Sequence, residues 1–133
     1  MRTPRLDRDR QQWIFDYFVQ ETGKVFHWDE EGRQVPASVK SHAQISKHLG
    51  RIGQRFERVA EEEEAAGHSE TAFELYYKAS ATFAAAQHPV LETNDEKRYL
   101  HGRCIANYEK VIKHAPHTIE RLEIPFEGAE LQC

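Results

Sequence analysis

The sequence predicts a mainly α-helical protein, an antiparallel array of about four helices followed by a C-terminal β-strand or hairpin. Three observations carry this reading. In two stretches, Ile45, Leu49, Ile52, Phe56, Val59 and Ala72, Tyr76, Ala79, Phe83, Ala86, apolar residues recur at alternating steps of 4 and 3, the spacing of one helix face. Short connections rich in turn and stop residues separate the periodic segments. From Leu122 onward the period falls to two, because Leu122, Ile124 and Phe126 alternate with Arg121, Glu123 and Pro125 before a Glu127-Gly128 turn.

The first predicted helix runs from about Leu6 to Thr22 and is ended by Gly23. Trp13, Ile14, Tyr17 and Phe18 form its stripe, and Phe15 and Val19 widen it. Such a surface needs cover on more than one side. An irregular connection, GKVFHWDEEGRQVP, leads to a second helix starting near Ser38 or Ser41, where Ser41 and Gln44 fit a capping box. Gly50 and Gly53 lie inside it at a cost of about 1 kcal/mol each, which signals a close backbone approach or a bend. The run Glu61 to Glu64 reads as its solvated last turns; acid at this end opposes the helix dipole, so fraying is expected.

Ser69 is the expected cap of the third helix. Ala79, Ser80, Ala81, Ala84, Ala85 and Ala86 suit it to close packing until His88-Pro89 stops it. Thr93-Asn94-Asp95-Glu96 is the expected N-terminal capping box of the fourth helix, which carries Leu100, Cys104, Tyr108, Val111 and Ile112 on one side and ends at Ala115-Pro116. Residues 1–117 therefore form a helical unit, and residues 118–133 the strand and turn that follow it.

Composition narrows the function classes. With 30% charged and 39% hydrophobic residues, no apolar run reaches the roughly 18 residues that a membrane helix requires. A net charge of -4, with the N-terminal arginines interleaved by Asp7 and Asp9, argues against a nucleic-acid binder, which concentrates positive charge to neutralise phosphates. The basic start lacks the apolar core of a secretory signal, and the expected setting is cytoplasmic. Cys104 and Cys133 are expected to be free thiols rather than a disulfide framework.

No catalytic or metal motif is found. Gly67-His68-Ser69-Glu70-Thr71 falls short of the G-x-S-x-G nucleophile elbow, because Thr71 replaces the second glycine and the preceding EEEEAA is helical where an elbow needs a strand. His114, His117 and Cys104 lack the close ligand pairs of a zinc site, and His114 is better placed to complement a helix C-terminus. The scattered histidines have no serine or cysteine motif beside them. No cofactor is implied. The hairpin around Gly67, with the Ala79, Phe83, Ala86 and Pro89 series, has some tetratricopeptide character, but no second copy follows at about 34 residues.

Three segments carry a family resemblance: AFELYYKASATFAAAQHPV, KRYLHGRCIANYEKVIKHA and IERLEIPFEGAELQC. Together they resemble the N-terminal region of a group of α/β-hydrolases that includes 2,6-dihydroxypseudooxynicotine hydrolase and esterase-like proteins of the fermentation–respiration switch type. In that group a Tyr- and Ala-rich helical segment precedes a stretch E-x-x-x-I-P-F-E-G, the first strand of the hydrolase sheet, matched here by Glu120 to Gly128. The likeness spans about residues 65–133; residues 1–64 share only helical character.

The resemblance implies a helical cap over the pocket of a serine hydrolase of esters or of carbon–carbon bonds beside a ketone. It also implies that the tail is the first strand of a sheet whose other strands, nucleophile, acid and histidine lie further along a parent chain. Without a G-x-S-x-G here, no triad residue can be carried over. A cap needs apolar and aromatic walls that exclude water, and Phe15, Phe18, Tyr76 and Tyr77 are the candidates. Leu122, Ile124 and Phe126 are the expected interface to the sheet domain or a partner. The partners implied are that hydrolase domain or a second copy, with a small-molecule substrate reached through the parent enzyme. The rival reading is a small helical protein-interaction module, in which Leu122, Ile124 and Phe126 fold back onto the helices.

Overall fold

The computed structural model describes Val39 and residues 41–132. The first predicted helix, Leu6 to Thr22, with Phe15 and Phe18, lies outside the described residues. Among those described there are three helices, not about four: α1 (His42–Ala65), α2 (Ser69–Gln87) and α3 (Asp95–His114). The strand-like tail is a hairpin of β1 (Glu123–Phe126) and β2 (Ala129–Gln132).

The helix ends follow local chemistry. Gly67, at φ 82°, terminates α1 with the paired bonds of a Schellman motif, His68 N–H to the Glu63 carbonyl at 2.9 Å and Gly67 N–H to the Glu64 carbonyl at 3.0 Å. The end expected to fray is therefore closed. Ser69 is the first helical residue of α2 rather than its cap; His68 takes the cap position, with no side-chain bond. Ser41 does cap α1 by position, in extended conformation, again without a side-chain bond. The cap of α3 is Asn94, one residue after the Thr93 of the expected capping box: its side chain accepts from the Lys97 N–H at 2.9 Å, and Asp95 and Glu96 add negative charge to the first turn.

Packing puts α2 between its neighbours. Gly53 meets Phe83 and, further along α1, Glu64 meets Tyr76, so α1 and α2 run antiparallel. Ser80 meets Cys104 and Tyr76 meets His114, so α2 and α3 do as well. Contacts between α1 and α3 climb both helices together, from Gly50 with Leu100 to Glu57 with Arg103 and Glu64 with Lys110, which makes that pair parallel.

One core cluster joins Leu49, Ala79, Phe83, Ala86, Val90 and Leu100; a second joins Ala60, Ala72, Tyr76 and Val111, with Ile119 packed against it. The expected face of α2 is buried in full. On α1 the buried line is Ser46, Leu49, Gly50, Gly53 and Ala60, while Ile45, Ile52, Phe56 and Val59 flank it half-buried. Small residues occupy the line of closest approach because the backbone of α1 itself contacts α2. On α3 the face is rotated relative to expectation: Asn107 is buried, and Tyr108 is 40% exposed.

The hairpin follows from its turn. Glu127 and Gly128 both have positive φ, 47° and 81°, the conformation of the tight turns whose twist matches antiparallel strands. Ile124 pairs with Leu131 and Phe126 with Ala129, so Ile124, Phe126, Ala129 and Leu131 share one face, with Leu122 just before β1, while Glu123, Pro125, Glu130 and Gln132 share the other.

A pair of substitutions tests the packing line. A Cβ at position 53 would lie 3.1 Å from three atoms of the fully buried Phe83 ring, whereas at Gly102 of α3 nothing lies within 4 Å. Gly53→Ala should destabilise by about 1–2 kcal/mol net, overpacking outweighing the propensity gain. Gly102→Ala should stabilise by about 1 kcal/mol. Urea unfolding of both variants checks the opposite signs.

Candidate functional site

The densest polar constellation lies where the three helices meet. Glu64, in the last turn of α1, accepts from the Tyr76 hydroxyl at 2.6 Å and from Lys110 Nζ at 2.8 Å through one carboxylate oxygen. Its other oxygen accepts from Lys113 Nζ at 2.7 Å and meets His114 Nε2 at 2.8 Å. The His114 ring stacks on Tyr76 with centroids 6.2 Å apart and planes within 5°, and Lys110 Nζ sits 5.6 Å from the centroid of the Tyr76 ring. Each partner arrives by periodicity: Lys110, Lys113 and His114 are neighbours at three- and four-residue spacing on α3.

The electrostatics follow from this geometry. Lys110, then Lys113, the Tyr76 hydroxyl and His114 hold the Glu64 carboxyl far below the usual carboxylate range, against a smaller opposing effect of burial. Burial pushes the Tyr76 phenol upward, and its bond to Glu64, with the charges of Glu64 and Glu61, adds to the rise. A carboxylate with both oxygens engaged by donors is a poor nucleophile and a poor base. The cluster is a clamp that ties α1, α2 and α3 together.

A second rung lies two turns back along α1. Glu57 Oε1 is bound by Arg103 Nη2 and accepts from Asn107 Nδ2 at 2.9 Å, while the same amide donates to the Arg103 carbonyl at 2.8 Å. Gln54 Nε2 donates to the Tyr99 hydroxyl at 2.9 Å one turn earlier. Together these bonds make a polar seam between α1 and α3. The sequence reading missed it, and took Glu64 for part of a solvated run. The signal was present: Glu57 and Glu64 continue the heptad line of Gly50, Gly53 and Ala60, which faces inward.

The residues expected to wall a pocket go to different places. Tyr76 is buried, with its hydroxyl spent on Glu64. Tyr77, one residue on, is 56% exposed and lines a shallow, open, apolar depression on α2 with Phe73, Glu74 and Lys78. His114, set aside as a zinc ligand, meets Glu64 through its Nε2. Gly67 and His68 lie in the turn between two helices and Ser69 to Thr71 begin α2, so there is no strand-to-helix elbow here.

The expected interface residues form one open surface. Ile124, Phe126 and Leu131 are each about half exposed on a single face of the hairpin, and Leu122, just before β1, is exposed as well. No family model, curated protein or solved structure matches the chain. No helix among the described residues is long and apolar enough to cross a membrane.

The clamp predicts an acid dependence of stability. A carboxyl whose folded pKa is depressed stabilises the fold above its unfolded value, near 4.5 for Glu64, and that contribution is lost as pH falls below it toward the folded value. Glu64→Gln should therefore lower stability at neutral pH by about 1.5–3 kcal/mol, the scale of hydrogen bonds to a charged group. It should also flatten the decline of stability below pH 4.5. Thermal unfolding of both proteins across acid pH reads both effects; parallel curves would show that Glu64 is not the group that matters.

Proposed function

We propose that this chain is the helical cap region of an α/β-hydrolase-like enzyme, with β1 and β2 as the start of its catalytic sheet. The single observation that carries the reading is the hairpin: the stretch E-x-x-x-I-P-F-E-G folds into β1 and its turn, and leaves Ile124, Phe126 and Leu131 open on one face. A two-stranded hairpin is at best marginal in water without further strands or a covering layer. An apolar face on such a hairpin is suited to a larger sheet.

In this reading the seam and the Glu64 clamp make the helices a rigid scaffold, and the cap excludes water from a pocket whose serine nucleophile, histidine and acid belong to the sheet domain. The depression formed by Phe73 and Tyr77 is then the wall offered to the substrate. Tyr76 supports that wall from behind, through the clamp, rather than touching a ligand. The rival reading, a helical interaction module, has a parallel α1 and α3 in its favour, as in stacked helical hairpins. It requires Leu122, Ile124 and Phe126 to be covered by the helices, and their exposure favours the cap.

The test is a chromogenic short-chain ester assay, run on this chain and on the product of the uninterrupted reading frame that contains it. Hydrolysis by the longer product alone is expected. Silence in both products, or equal turnover by this chain alone, would overturn the reading.

A further inference from the structure

We infer that the outer edge of β2 is a self-recognition edge: two copies of this chain join β2 to β2, antiparallel about a twofold axis at Leu131, into one continuous sheet. The inference does not rest on the hydrolase reading, in which the same β2 edge would instead take the next strand of the sheet, so the two occupants exclude one another. Association and ester hydrolysis are measured separately, so the failure of one does not decide the other.

The argument starts from which backbone groups point outward. In a hairpin closed by a two-residue turn, the residues flanking the turn exchange both main-chain bonds, and bonded and non-bonded pairs then alternate along the ladder. With Phe126 opposite Ala129 and Ile124 opposite Leu131, these are the bonded pairs; Pro125 opposite Glu130 and Glu123 opposite Gln132 are the non-bonded ones. Pro125, which has no N–H to give, falls at a non-bonded position as this phase requires. The main chain of Glu123 and Pro125 therefore faces the outer edge of β1, and that of Glu130 and Gln132 the outer edge of β2.

The two edges differ in kind. At the centre of β1 the outer edge carries a proline, which offers no donor and is one of the ways natural sheets blunt an edge. Both outward residues of β2 keep their N–H and C=O groups, so β2 is the edge that can add a strand.

Side chains then select the occupant and its register. With Leu131 opposite the partner's Leu131, Glu130 exchanges main-chain bonds with the partner's Gln132, and the reverse, while the two leucines meet on the apolar face. On the other face each Glu130 carboxylate lies beside the partner's Gln132 amide. Gln132 Nε2 already donates to Glu123 at 3.0 Å and has a second hydrogen for that carboxylate. Centring the pair on Glu130 instead would set like charges directly opposite, which is unfavourable. A twofold axis normal to the sheet also keeps Ile124, Phe126 and Leu131 of both copies on one side, so the apolar faces merge.

Three variants test the proposal, with circular dichroism as the check on folding. Sedimentation of the wild-type chain should show a reversible monomer–dimer equilibrium in the micromolar-to-millimolar range. Glu130→Pro, which removes an outward donor and none of the hairpin's own bonds, should weaken the dimer at least about tenfold. Pro125→Val restores the donor on the β1 edge and should turn dimers into longer assemblies, because both edges are then open. In a chain with Cys104 and Cys133 replaced by serine, Leu131→Cys should cross-link between copies on mild oxidation and Glu130→Cys should not. Non-bonded partners in such a pair lie about 4.5 Å apart at Cα, within disulfide reach. A monomer at all concentrations, a dimer unaffected by Glu130→Pro, or equal cross-linking at both positions would overturn the inference.

Discussion

The seating of Phe83 on the backbone of α1 at Gly53 is the constraint from which the helical unit follows. A side chain at position 53 would hold α2 away, and its absence lets a fully buried aromatic ring lie against the helix itself. Once α2 is fixed at that distance and runs antiparallel, Tyr76, two turns before Phe83, comes level with the last turn of α1. There its hydroxyl meets Glu64. The clamp thus depends on the apolar contact being made first, because the carboxylate has no worthwhile partner on α2 unless the two helices already touch.

The third helix is held differently. α2 and α3 share apolar contacts through Leu100, Val111 and the small residues of α2, but α1 and α3 meet chiefly through the polar seam. Long charged side chains span a gap that apolar ones would leave open to water. Half-buried carboxylates at Glu57 and Glu64 would be costly alone, and each is offset by cationic and amide donors from α3. The price of such a seam is that its two sides must arrive in one register, since a shift by one turn would leave Glu57 and Glu64 without their donors. That requirement ties the alignment of α1 and α3 to a few named side chains.

Much of this was legible in the sequence, and the parts that were not have a common cause. Helix stops at His88-Pro89 and Ala115-Pro116, the α2 face and the strand-and-turn tail depend on local chemistry, and the fold follows them. On α1 the apolar pattern points to the large residues as the centre of the buried face, whereas the close approach of α2 puts glycine, alanine and serine there instead. The acidic run was read as solvated for a related reason. Charge predicts exposure unless a partner is present, and the partners of Glu64 stand on another helix, at sequence separations that no local pattern reveals. His114 was placed correctly at a helix C-terminus but for half of its role, since the dipole argument sees α3 and not the carboxylate across from it.

The helices and the hairpin differ in how firmly neighbouring elements hold them. In the helical unit the acidic end of α1 is closed by a Schellman motif and a multiply bonded carboxylate, and its apolar line is covered. In the hairpin, backbone donors and acceptors face outward on one edge, and the larger apolar side chains of one face are about half exposed. Among the described residues the hairpin is where outward main-chain groups and an apolar face occur together, although Tyr77, Leu91, Tyr99, Ile105 and Tyr108 are also exposed on the helical unit. The helices are tied to one another by the clamp and the seam, whereas a short strand with an unblocked edge can take a new partner without breaking bonds it already makes. In the proposed association β2 and the face it shares with β1 make the contact, and the helices set the position from which that edge is offered.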